Sequence, residues 1–134
     1  MAALVERAYA PWVAVVGGRP APMDDDYAPH IADGEVWVLA DEAGIGALSV
    51  LIAGTDHLLL DNVAVDPSRQ GQGLGRTMIA HAEAVARARG FTELRLFTNA
   101  LMASNIGLYR RLGFAETHRA MVGARFRVFM TKRL

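Results

Sequence analysis
LLLDNVAVDPSRQGQGLGRTMIAHAEAVARAR, residues 58–89, is the stretch from which the fold can be read. It reads as strand, loop and helix. Leu58-Leu59-Leu60 and Val63-Ala64-Val65 make a nearly continuous apolar run, the pattern of a strand covered on both faces. Asp66-Pro67-Ser68 ends the run, because proline has a fixed φ and no N–H to give to a sheet ladder. Gln70-Gly71-Gln72-Gly73-Leu74-Gly75 then opens a helix. Its apolar residues Leu74, Met78, Ala82, Val85 and Ala86 recur at three- and four-residue spacing, and Gly90 supplies the C-terminal stop.

Three alternate glycines before a helix have a chemical use. Each missing side chain lets a ligand approach the backbone, and glycine can turn successive N–H groups inward around an anion. The first N–H groups of the helix lack intrahelical partners and sit at the positive end of the macrodipole. Together these make a phosphate site, the alternative being a glycine-rich turn with no ligand. A Walker loop needs Lys and Ser/Thr after its last glycine, whereas Arg76-Thr77 follow Gly75 here. A dinucleotide fingerprint needs G-x-G-x-x-G, and this loop is G-x-G-x-G. The pattern it does match is Q/R-x-x-G-x-G/A, as Gln70-x-x-Gly73-x-Gly75.

That loop resembles the acyl-CoA pyrophosphate loop of the GCN5-related N-acetyltransferase (GNAT) family. The likeness continues through Asn105, Tyr109 and Leu112-Gly113-Phe114 and covers roughly residues 36–134. It implies an α/β (α+β) fold, a mixed, mostly antiparallel central sheet flanked by helices. It also implies an acetyl-CoA-dependent N-acetyltransferase as the activity, with acetyl-CoA as co-substrate. The backbone of Gly71, Gln72, Gly73, Leu74, Gly75 and Arg76, after Gln70, is assigned by the resemblance to the pyrophosphate. The backbone of Val63 and Val65 is assigned to the pantetheine arm and acetyl carbonyl. In the family two central parallel strands splay at a bulge, and Asp61-Asn62 is where that bulge would sit.

Length and composition agree without being able to show any of this. A chain of 134 residues is expected to form one domain over its whole length. Fourteen basic residues balance fourteen acidic ones, which argues against a nucleic-acid or membrane-surface binder. The absence of Cys removes disulfides, a thiolate nucleophile and Cys-based zinc sites. No apolar run approaches the roughly 18 residues of a membrane span and no signal peptide is visible, so a cytoplasmic protein is expected.

From the start of the chain, residues 2–16 carry Leu4, Val5, Ala8, Tyr9, Trp12, Val13 and Val16 at helical spacing, broken by Pro11. Residues 17–22 form a loop. Asp24-Asp25-Asp26-Tyr27 opens an expected second helix reaching Ala32, its acidic residues serving as a solvated first turn or as a rim attracting a cationic amine. Residues 35–40 and 44–52 read as antiparallel strands beside residues 58–65, with a turn at 41–44. Residues 92–98 alternate as a strand parallel to 58–65 through the glycine-loop helix, one right-handed βαβ unit. A helix over 103–112 and strands over 114–118 and 125–132 complete the chain. Members of the family begin with a strand before the first helix. Here that strand is expected to be missing, leaving residues 35–40 as an open edge that a second copy could cover in a homodimer.

Moving an acetyl group from a thioester to an amine requires a held substrate and two managed protons. Tyr109 is the natural acid: a departing CoA thiolate has a pKa near 8.5 and tyrosine near 10, so a nearby phenol can donate to the sulfur. Its alternative is a core aromatic with a satisfied hydroxyl. Asn105, one turn earlier on the same helical side, could bond a pantetheine amide or cap its helix. Asp61 is the nearest candidate base, or a hydrogen-bonded structural carboxylate. His57 reads as a surface residue, His81 as solvent-facing on its helix, and no histidine has metal-ligand spacing, so no metal is expected. For the acceptor, the branch of the family that acetylates ribosomal-protein N-termini carries Glu where this strand has Phe97. A small-molecule amine is therefore expected, with Trp12, Tyr27, Arg119 and Arg125 as pocket candidates.

Overall fold
The computed structural model describes residues 2–134. The opening apolar stripe forms two helices, α1 (Ala2–Tyr9) and α2 (Trp12–Val16), parted at Pro11, which caps α2. The expected helix over 24–32 is instead a 3-10 turn, Ala21–Asp24, and a separate short helix, α3 (Ala28–Ala32). A continuous helix would bury Pro29 in its interior, where its ring clashes with the preceding turn. Extended backbone at Asp25 (ψ 146°) puts Pro29 in a first turn, where a missing N–H is harmless.

Six strands follow: β1 (Val36–Asp41), β2 (Gly44–Ala53), β3 (Leu58–Val65), β4 (Glu93–Asn99), β5 (Ala115–Val122) and β6 (Arg125–Arg133), ordered β1-β2-β3-β4-β6-β5. Only β3 and β4 are parallel, joined through α4 (Leu74–Ala88); α5 (Ala103–Arg111) joins β4 to β5. The sheet is thus mixed and mostly antiparallel, as expected, with β1 at one edge. β5 runs four residues past the sequence expectation of His118, to Val122. It is an exposed edge strand, so no apolar alternation marked it.

Two cores lie on opposite faces. Leu51, Leu58, Leu60, Leu94 and Leu96 pack beneath α4 and α5, against Ile79, Ala82 and Ile106. Leu4 and Val5 of α1 pack on Leu48, Val50 and Ala64 across the sheet, with Tyr27. β3 contributes to both faces because its parity changes. Val50 pairs with Asn62 and Leu51 with Leu60, leaving Asp61 as an extra residue. This bulge sits where the family resemblance implied it, at Asp61-Asn62. Leu60 therefore faces α4, whereas Asn62 and Ala64 face α1, a reversal that an unbroken strand with a two-residue period cannot make.

The bulge also opens the sheet. Parallel pairing of β3 with β4 lasts only from Leu58↔Leu94 to Leu60↔Leu96. Beyond it β3 stays with β2 as far as Val65, while β4 stays with β6 as far as Asn99. The two strands diverge, leaving a V at their C-terminal ends. One side-chain expectation fails here: His81 does not face solvent. Its ring packs edge-on against Trp37 of β1 (centroids 4.7 Å apart), and its Nδ1 is buried without a partner, because the sheet extends beneath that flank of α4.

Candidate active site
The glycine loop is braced from its N-terminal side. Asp66 accepts from Ser68 N (3.0 Å) and Oγ (2.9 Å) and from Arg7 (2.9 Å), capping a 3-10 turn over Pro67–Arg69. Arg69 forks onto Asp41 with bonds of 2.7 and 3.0 Å. Its side chain crosses Gly46 so closely that a Cβ there would lie 2.8 Å from Nη1. The loop then turns through Gly71 (φ 85°) and Gly73 (φ 75°), conformations that glycine adopts without strain. Gly73 caps α4, and no side chain satisfies the first turn. A Cβ on Gly71, Gly73 or Gly75 would meet nothing within 4 Å. Open space over unsatisfied N–H groups fits an anionic group, and a pyrophosphate is such a group.

From this loop a groove runs past Val63 and Val65 to Asn105 and Tyr109. A second cavity lies over the V, between the bulge, Phe97 to Asn99 of β4, and Arg125 and Arg127 of β6. Both openings are lined by Tyr9, Val63, Asn105 and Tyr109. The expected cofactor-side and catalytic residues line these two openings, except Gln72, which is exposed and lines neither.

Tyr109 stands on the wall shared by both cavities, its ring edge-on to Phe114 (centroids 6.0 Å apart). Its hydroxyl makes no hydrogen bond with any described residue. Burial pushes its pKa up to about 12, which keeps the phenol protonated throughout the physiological range. Asn105 does not cap α5; Met102 occupies the cap position. Asp61, the bulged residue, is half-buried and without a hydrogen-bond partner among the described residues. Burial first, then the Asp25 charge, raises its carboxyl above the ordinary range.

Behind Asp61 lies a charged array that sequence spacing did not show. His30 Nδ1 meets Glu35 (2.9 Å) and Nε2 meets Asp25 (3.2 Å). Donor atoms of Asp25, His30 and Asp61 lie within 4.8 Å of one another. Both ring nitrogens already face carboxylates, and the Glu35 contact above all raises the His30 pKa. The bulge itself is clamped by polar side chains. Tyr9 Oη lies 2.7 Å from Asn62 Oδ1 and 3.0 Å from the Val63 carbonyl oxygen. Asn62 Nδ2 donates to Tyr27 Oη, which donates to the Pro22 carbonyl (2.7 Å each).

Of the four acceptor-pocket candidates, only Arg125 lines the cavity over the V. Trp12 lines the groove instead, Tyr27 is buried in the clamp, and Arg119 pairs with Glu116 (2.6 Å) on β5. Sequence reasoning missed Tyr9, Asn62, Thr98 and Arg127 in the cavity wall. Arg127 had a findable signal, since it shares a strand face with Arg125 two residues earlier.

A mixed sheet splayed beyond a short parallel pair, with a glycine-loop helix that has no side-chain cap at the splay, defines the GNAT class of acetyltransferase fold. The sequence matches the acetyltransferase (GNAT) domain over residues 32–116, and the chain belongs to this family. It is 39% identical over 75 residues to streptothricin acetyltransferase of Streptomyces lavendulae, covering 56% of this chain and 39% of that protein. It is 37% identical over 78 residues to the ribosomal protein bS18-alanine N-acetyltransferase of Escherichia coli, covering 58% of this chain and 53% of that one. The chain thus spans about half or less of these curated relatives. The fold is similar to that of PaiA N-acetyltransferase of Thermoplasma acidophilum in complex with coenzyme A (TM-score 0.79, 15% identity, 99% of this chain and 90% of that one). No helix among the described residues is long and apolar enough to cross a membrane.

Proposed function
We propose that the protein is an acetyl-CoA-dependent N-acetyltransferase acting on a small-molecule amine in the cytoplasm, the whole chain forming one such domain. The observation that carries this is the confluence at Tyr109 of the groove that starts at the glycine loop and a second, differently lined cavity. Gln70, Gly71, Gln72, Gly73, Leu74, Gly75 and Arg76 hold the pyrophosphate on backbone N–H groups. The Val63 and Val65 backbone, with the Asn105 amide, lines the pantetheine arm. Acetyl-CoA supplies the activated acetyl group. Asp61 faces the cavity as a carboxylate that can hold an ammonium and accept its proton. Tyr109 donates a proton to the departing sulfur. No step in this scheme uses a metal.

The test is free-thiol release from acetyl-CoA across a panel of amines. Release that depends on one amine class supports the enzyme. Tight CoA binding with no release from any amine favours the second reading, a non-catalytic acyl-CoA sensor. Release with a peptide N-terminus alone favours protein acetylation, the activity named for the Escherichia coli relative.

The same reading includes a homodimer through β1. Trp37, Val38 and Leu39 are 37%, 50% and 38% exposed on this edge strand, which carries neither proline nor lysine. Antiparallel addition of a second β1 about a two-fold axis covers it. Sedimentation over a concentration series should show a dimer that Val38→Lys dissociates, and a wild-type protein monomeric at every concentration overturns it.

A further inference from the structure
Charges in this chain are paired almost wherever they are partly buried. Asp66 has Arg7, Arg69 has Asp41, Glu83 has Lys132, Glu93 has Arg95, Glu116 has Arg119, and Glu35 has His30. Among the described residues three half-buried charged side chains make no salt bridge: Asp61, Arg125 and Arg127; Asp61 stands within 4.8 Å of His30, whose two ring nitrogens are taken by Glu35 and Asp25. All three line the cavity over the V.

Their positions are held by other contacts. The Arg127 guanidinium lies over the Phe97 ring, 4.2 Å from its centroid, and Arg125 donates to the Arg19 carbonyl (3.1 Å). Asp61 is fixed on the bulge, out of salt-bridge range of both. The other charged groups on this wall are already matched: Asp24 with Arg19 (2.8 Å) and Asp25 with His30 (3.2 Å). A partly desolvated charge without a counterion is unfavourable, and two like-charged guanidiniums side by side are more so. Burial and then Arg125 lower the Arg127 pKa, with Asp61 acting in the opposite sense.

A simple amine would satisfy Asp61 and bring a third positive charge toward two unpaired guanidiniums. A ligand with a carboxylate beside its amine satisfies both signs, and a guanidinium matches a carboxylate with two parallel bonds. We infer that the acceptor is an amino acid or a close amino-carboxylate, its ammonium at Asp61 and its carboxylate at Arg127 and Arg125. This deepens the N-acetyltransferase reading and rests on it. The carboxylate sets specificity without taking part in the transfer. The ammonium first gives one proton to Asp61, which frees the nitrogen lone pair. That lone pair forms the new N–C bond as the C–S bond breaks, the sulfur takes a proton from Tyr109, and the second nitrogen proton returns to the Tyr109 phenolate.

The experiment compares amino acids having α, β and more distant amine-to-carboxylate spacings with their amides and decarboxylated amines. Thiol release gives kcat/KM for each. Calorimetry gives binding of the same compounds to the CoA-loaded protein. The acid of best spacing should exceed its amide by about 10²-fold or more in kcat/KM, the loss expected when charge-assisted hydrogen bonds to the two guanidiniums are removed. Arg127→Gln should collapse that ratio and Arg127→Lys should restore part of it. Amides or decarboxylated amines that turn over as well as the acids overturn the inference and leave the N-acetyltransferase reading intact. Acid-selective binding with no transfer upholds the pocket and overturns the enzyme. Binding of neither class overturns the inference.

Discussion

Tyr109 and Gly73 show how much chemistry one atom group can carry. The hydroxyl of half-buried Tyr109 makes no hydrogen bond with a described residue, and burial around it raises its pKa, at the junction of groove and cavity. Tyr109→Phe removes only that oxygen, so CoA affinity measured by calorimetry should survive. Turnover should fall by about 10²-fold, the usual loss for a general acid. An unchanged chemical step would return Tyr109 to packing. Gly73 and Gly75 separate two effects of a side chain. Gly75 is helical with open space around it, so Gly75→Ala should fold normally and keep CoA binding. Gly73 sits at φ 75°, where an L-residue is strained by about 1–2 kcal/mol, a loss most domains tolerate. Gly73→Glu should remain folded by circular dichroism yet lose CoA binding, its carboxylate standing where the pyrophosphate belongs.

At the scale of elements, the βαβ unit is both the structural centre and the source of the site. Leu58, Leu60, Leu94 and Leu96 make its three-residue parallel zip, each at most 3% exposed. Leu94→Ala should lower the unfolding free energy in urea by about 2–5 kcal/mol, the range for a buried leucine truncated to a cavity. The zip cannot continue, because the bulge at Asp61 turns Asn62 toward α1. There Tyr9 and Tyr27 satisfy its amide. One polar side chain buried among tyrosines thus holds the strands apart. The opening is a consequence of where a hydrogen-bonding group finds its partners.

Across the whole molecule, the array of Asp25, His30, Glu35 and Asp61 couples charge to stability. Glu35 and then Asp25 hold the His30 pKa above its usual 6.5. The stabilisation from charged His30 is therefore complete below about pH 6.5 and fades as pH rises through the folded-state value. Thermal melts of the wild type should show Tm falling as pH climbs from 6 toward 8, and His30→Gln should flatten that slope. A steeper slope in the variant would overturn the assignment. The depressed carboxylates Asp41, Asp56, Asp66 and Glu116 act oppositely. Their contribution is present above the ordinary carboxylate range, fades on acidification, and is small because solvent screens them.

Local chemistry made the order of elements and one half of the site readable in the sequence. Glycine tolerates positive φ, proline stops a ladder, and apolar spacing marks the covered face, all within a few residues of chain. The strand Leu58–Val65, the glycine loop and the helix after it needed nothing more distant, whereas the place of the bulge came from the family resemblance. The acceptor half was different. Its wall unites Tyr9, Asp61, Phe97 and Arg127, which meet only because the sheet brings β3, β4 and β6 beneath α1. Arg119 and Arg127 look alike as letters on two strands. One meets Glu116 and is neutralised, and the other lies over Phe97 with its charge unanswered. Pairing of charges across distant segments is decided by register and packing, and only the tertiary structure fixes those.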